Sequence, residues 1–183
     1  MHKLERAFCA RPAIEVAPDL LGKYLVHVVD GVERIGRIVE VEAYLGVKDR
    51  AAHSSKGLTA RTRVMFGPPG YAYVYMIYGL HFCMNVVAGQ EGEAPAVLLR
   101  ALEPVSGIEG RTQGPALLCK SMGIDKRCNG HDLQSTDLYL ATPDRAESIR
   151  IIKRPRIGVD YAGVWARRLL RFYIQGNAYV SRP

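Results

Sequence analysis

The segment IGRIVEVEAYLG carries two carboxylates, Glu40 and Glu42, two positions apart, with Tyr44 two positions further on. Read as a strand, it places Glu40, Glu42 and Tyr44 on one face and Val39, Val41 and Ala43 on the other. Carboxylates at that spacing lie roughly 7 Å apart at the backbone, a separation suited to an acid/base pair acting on a glycosidic bond. The competing reading of the same pattern is the polar outer face of an edge strand. Arg100 sits inside the apolar run VLLRALEP, where an unpaired guanidinium is costly. It must therefore pair with a carboxylate or face a polar site, and Glu42 and Glu103 are the candidates. Glu40 is expected to be secondary, pairing with a nearby basic residue such as Arg37.

A second cluster follows in GPPGYAYVYMIYGLHFCMN. Tyr71, Tyr73 and Tyr75 share one strand face, and Tyr78 stands beside Gly79. Tyrosines in a strand pack cores, but beside a basic surface they also stack on bases or wedge between them. Asn85 closes the run, as a satisfied structural amide or as a reader of a base edge. His53, in AAHS, is open to a structural or a catalytic reading. His53, His81 and His131 lie far apart and only His81 and Cys83 are close, which gives poor support for a zinc site.

These residues need elements to hold them. Pro12 to Leu21 reads as a short helix stopped at Gly22, because Val16, Ala17, Leu20 and Leu21 share a face. Lys23 to Val29 and Arg34 to Tyr44 read as antiparallel strands joined at Asp30-Gly31. Tyr71 to Val87 reads as a second hairpin with Tyr78-Gly79 at its tip. Ala96 to Leu102 is a strand, and Pro115 to Met122 is a helix with Gly123 just past its end. A short helix over Tyr161 to Arg168 and a strand over Arg171 to Gln175 complete the pattern. The fold class is therefore α+β: a single domain over residues 1–183 with a curved, mainly antiparallel sheet, flanking helices and a protruding β-hairpin.

Composition narrows the field. Hydrophobic residues make up 48% and charged residues 23%, the balance of a globular rather than a disordered chain. No apolar run reaches the roughly 20 residues of a membrane span, and the N-terminal stretch is too charged for a secretory signal, so the expected location is cytoplasmic. The four cysteines show no CxxC spacing, and Cys83 reads as a buried reduced thiol. The net charge is +7, and all of the excess falls after residue 144, where nine basic residues face only Glu147 and Asp160. Such a segment suits a phosphate backbone, or is a solvated charged face.

In their order along the chain, these stretches closely resemble the alkyladenine (3-methyladenine, Mpg-type) DNA glycosylase family. The matching segments are LLGKYLV, GRIVEVEAYLG, DRAAHS, MFGPPG through YVYMIYG to FCMN, VLLRALEP, GPALLCKSMGI, RIGVDYAG and WARRLLRFYIQGN, with VS near the end. The resemblance implies a monofunctional repair enzyme. It would flip an alkylated or deaminated purine from double-stranded DNA and hydrolyse its N-glycosidic bond with an activated water, leaving an abasic site. It implies that Glu42 is the general base, that Arg100 helps hold the water, and that the backbone carbonyl of Ile157 contacts it. Tyr44, His53 and Tyr75 would enclose the flipped base, Tyr78 would fill the gap in the duplex, and Asn85 would disfavour guanine. No metal or organic cofactor is expected, and the expected form is a monomer. Two other readings of the same residues are a hydrolase of free nucleosides and a noncatalytic nucleic-acid-binding domain.

Overall fold

The computed structural model describes residues 1–145 and 147–183. Among the described residues, nine strands form one sheet in which every strand pairing is antiparallel. The strands are β1 (His2–Lys3), β2 (Tyr24–Val29), β3 (Val32–Tyr44), β4 (Ala72–Ile77), β5 (His81–Val87), β6 (Ala96–Ser106), β7 (Leu138–Thr142), β8 (Ile151–Arg154) and β9 (Arg171–Ile174). The α-helices are α1 (Arg6–Cys9), α2 (Ala13–Leu20) and α3 (Pro115–Met122). The spatial order is β1-β7-β2-β3-β6-β5-β4, while β9 pairs with both β3 and β8. The fold is α+β, as the sequence pattern predicts.

Local chemistry accounts for the main elements. Asp30 and Gly31 have φ of 51° and 77°, the left-handed pair that a two-residue hairpin needs between β2 and β3. Val16, Ala17 and Leu20 on α2 are fully buried, so the helix is held by its apolar stripe. Proline opens α3, and Gly123, with φ of 73°, closes it by donating its backbone N–H to the Lys120 carbonyl.

Strand β3 is the spine of the molecule. It pairs with β2 through its first half, with β9 through Glu40 to Glu42, and with β6 along most of its length. Register shifts around Glu40 mark an irregularity against β6, the kind of feature that bends a strand and re-aims its side chains. The edge-strand reading of EVEAY is therefore wrong. Val39, Val41 and Ala43 are fully buried, but so are Glu40 and Glu42.

The structure departs from expectation elsewhere. Asp160–Arg167 is not one regular helix but 3₁₀ structure broken at Gly163, where φ is 61°. The short strands β1, β7 and β8 and the one-turn α1 carried no pattern long enough to read. Of the basic residues after position 144, Arg156 and Arg171 are buried, so they belong to the interior rather than to a phosphate-binding surface. All four cysteines are free and buried, Cys83 among them. No helix among the described residues is long and apolar enough to cross a membrane.

Candidate active site

A cleft of about 350 Å³ opens beside the β4–β5 hairpin. Tyr44, His53, Tyr75, Tyr78, Asn85, Arg100 and Ile157 all line it, so seven of the eight site residues proposed from sequence converge on one cavity. The eighth, Glu42, is fully buried just behind that lining.

Three cleft residues clasp the Glu42 carboxylate. Tyr44 Oη donates to Oε2 at 2.8 Å, the Ile157 backbone N–H donates to Oε1 at 2.8 Å, and Arg100 Nη1 lies 3.3 Å from Oε1. Burial raises the carboxyl above its ordinary 4.5, and Arg100, the Ile157 amide and the Tyr44 hydroxyl pull the other way. The Ile157 backbone thus holds the carboxylate through its N–H, a contact separate from the one between its carbonyl and the water that the resemblance implies.

Glu40 lies deeper and is more heavily paired than the sequence suggests. Arg100 Nε and Arg171 Nη1 donate to its Oε1 at 3.1 and 3.0 Å, and the Ser181 N–H donates to its Oε2 at 2.7 Å. Arg37 is not its partner, because Arg37 bonds Glu103 at 3.3 Å and Glu147 at 2.8 Å. Glu103 is occupied in turn and does not meet Arg100, which is shared between Glu40 and Glu42. The four buried ions Glu40, Glu42, Arg100 and Arg171 balance in charge.

The cleft walls are aromatic. The His53 ring packs edge-on against Tyr75 with centroids 4.5 Å apart, and His53 Nδ1 shares a 3.0 Å hydrogen bond with Tyr73 Oη. Burial, with help from the Arg61 and Lys56 charges, depresses the His53 pKa to about 4. His53 is therefore neutral at physiological pH. Tyr44 lies under the Arg156 guanidinium, 4.7 Å from its ring centre, and Arg156 is itself buried in an ion pair with Asp49. Asn85 donates from Nδ2 to the Tyr73 carbonyl at 3.2 Å, which fixes the amide at the cleft wall.

Tyr78 stands at the hairpin tip with 91% of its surface exposed and φ of 51°. A non-glycine residue in that conformation stores strain, and here the result is an aromatic ring presented to solvent.

Arg61 and Tyr161 are among the cleft residues that sequence reasoning missed. Arg61 sits over the Tyr75 ring at 5.4 Å, and nothing in SSKGLTARTR distinguished it from the other basic residues there. Tyr161 lines the rim, with its hydroxyl donating to the Ala51 carbonyl at 3.2 Å. Its place directly after RIGVD was the available signal. No group of three potential metal ligands converges among the described residues.

The sequence matches the profile of the family described as Methylpurine-DNA glycosylase (MPG) over residues 7–178. A protein of Legionella pneumophila (strain Corby) is 61% identical over the whole of both chains. One from Anaeromyxobacter sp. (strain Fw109-5) is 54% identical, covering 98% of this chain and 93% of its own. One from Myxococcus xanthus (strain DK1622) is 48% identical, covering 100% of this chain and 95% of its own. Each of the three carries the name "Putative 3-methyladenine DNA glycosylase". The chain belongs to the methylpurine-DNA glycosylase family. It is accordingly a DNA-repair enzyme, a hydrolase of N-glycosyl bonds whose substrate is DNA.

Proposed function

We propose that the enzyme flips alkylated or deaminated purines, 3-methyladenine and hypoxanthine among them, out of duplex DNA and releases them with a water activated by Glu42. The observation that carries this reading is the placement of Glu42, a buried carboxylate with a raised pKa directly behind an aromatic cleft. A single general base there, with no second free carboxylate, fits a one-step hydrolysis. Glu40 is set further back: all three groups that hold Glu42 line the cleft, whereas of those that hold Glu40 only Arg100 does, and Arg171 and Ser181 do not.

Extraction of the base is necessary because the glycosidic carbon is shielded in the stack, and it costs a few kcal/mol. Tyr78 offsets part of that cost by entering the vacated space. Tyr44, His53 and Tyr75 then enclose the purine, and the neutral state of His53 spares a cationic methylated base any repulsion from that ring. Asn85 narrows the choice of purine at the cleft wall. Water enters where Tyr44, Arg100 and Ile157 meet. As its oxygen bonds to the sugar carbon, the C–N bond breaks, its electron pair leaves with the purine, and Glu42 accepts the water proton. The charge of Glu42 also favours the oxocarbenium-like sugar.

The test is release of free hypoxanthine and free 3-methyladenine, measured from duplex DNA and separately from the corresponding nucleosides. Release from duplex alone is expected. Equal or faster release from nucleosides would replace this reading with that of a nucleoside hydrolase, which has no use for a ring exposed at Tyr78.

A further inference from the structure

The buried ion pair behind Glu42 has a geometry that a simple charge balance does not require. Arg171 is the cross-strand partner of Glu42, on β9. Its Nη1 reaches Glu40 at 3.0 Å, its Nε donates to the Pro155 carbonyl at 3.0 Å, and Nη1 also donates to the Arg182 carbonyl. The Pro155 contact anchors the short segment whose Ile157 N–H holds Glu42 Oε1. On the other side Glu40 takes Arg100 through Nε, which leaves Nη1 of the same guanidinium for Glu42. Both groups that hold Glu42 Oε1 are thus fixed through one pair, Glu40–Arg171. Residues 181–182 close that pair from behind, with the Ser181 N–H on Glu40 and the Arg182 carbonyl on Arg171.

We infer that Glu40 and Arg171, capped by the backbone of residues 181–182, form a positioning unit that sets the clasp on Glu42. The inference rests on the reading of Glu42 as general base. Arg171 and Ser181 neither line the cleft nor bond a residue that does, and Glu40, also outside the lining, meets it only through Arg100. Their effect passes through Arg100 and the Ile157 amide. A planar guanidinium presents several fixed donors at once, and a lysine ammonium cannot reproduce that fork while keeping the charge.

The experiment measures two quantities for Arg171→Lys and Ser181→Pro: the single-turnover rate of base release at saturating enzyme, and the affinity for duplex carrying a stable abasic-site analogue. Glu42→Gln is run beside them. Arg171→Lys is expected to slow release by about 10- to 100-fold, because small misplacements of catalytic groups are costly, while abasic-DNA affinity stays within about twofold. Ser181→Pro removes the N–H that Glu40 accepts and a hydroxyl that bonds nothing, and no charge, and should slow release about tenfold with the same unchanged affinity. A release rate near wild type in both variants overturns the inference, and so does a fall in affinity that matches the fall in rate. If Arg171→Lys fails to fold, Ser181→Pro alone decides. Full release by Glu42→Gln would overturn the general-base reading itself. An inactive Glu42→Gln beside two normal variants would overturn only the positioning unit.

Discussion

Glu42→Gln should separate activity from stability. The amide keeps the shape of the side chain. Its oxygen can still accept from Arg100 and the Ile157 N–H, and its NH₂ can donate to a Tyr44 hydroxyl that has turned. It cannot take a proton from water. Loss of a general base costs on the order of a hundredfold or more, or about 2.7 kcal/mol in the barrier. Stability should move the other way. Burial already raises the Glu42 carboxyl above its ordinary 4.5 despite Arg100, so the folded protein favours the neutral form more than the unfolded chain does. A neutral isostere therefore matches or exceeds wild type in stability at pH 7. In the wild type that group contributes most below 4.5, and the contribution is lost as pH rises through the raised folded value. The stability gap between variant and wild type should thus close on acidification. Single-turnover release of hypoxanthine and thermal melts at several pH values supply both readings. Retention of more than about a tenth of the rate would refute the assignment. A variant clearly less stable than wild type at pH 7 would refute the electrostatic reasoning.

Three further outcomes are expected. Tyr78→Ser should slow excision more from duplex than from the matching single strand, since compensation for unstacking is worth a few kcal/mol at most; equal losses would place Tyr78 outside the wedge role. His53 should titrate near 4 in an NMR pH series; because that lies below its ordinary 6.5, its contribution to stability is present above 6.5 and lost as pH falls through about 4. A midpoint near 6.5 would contradict the burial argument. Arg156→Met strands Asp49, whose side chain and its partner's are both fully buried. The cost should be about 3 kcal/mol, at the low end for broken buried pairs because the Leu45 and Ala51 N–H groups still serve Asp49. That corresponds to a melting point lower by roughly 6–12 °C, and a melt within experimental error of wild type would show that the pair contributes nothing.

The hairpins were legible because each rests on local chemistry, whereas the residues of the cleft were legible through the motifs of the resemblance. Asp30-Gly31 announces its own turn, and the run of alternating tyrosines its own strand. The burial of Glu40 and Glu42 was not legible, because their counter-charges come from distant strands. Arg100 arrives on β6 and Arg171 on β9, and period-two alternation cannot tell a wet face from one neutralised by partners 60 and 131 residues away. Arg37 was the nearest basic residue in sequence and was therefore the wrong partner. Similarly, counting charge after residue 144 could not reveal that Arg156 and Arg171 face inward, since one answers Asp49 and the other Glu40. Tyr44, His53 and Tyr75 come together from three separate segments, and only the motif order along the chain, not the spacing, linked them before the fold did.

The buried thiols carry a consequence of another kind. Electrophiles that methylate purines also attack sulfur, and the species they attack is the thiolate. Burial raises the pKa of Cys9 to about 11 and shifts Cys83, Cys119 and Cys128 in the same direction. Even Cys83, in the wall of the cleft, exposes only 2% of its surface. Every cysteine is thus buried and shifted away from the thiolate form. An electrophile that attacks sulfur therefore finds no exposed, acidic thiol among the four cysteines.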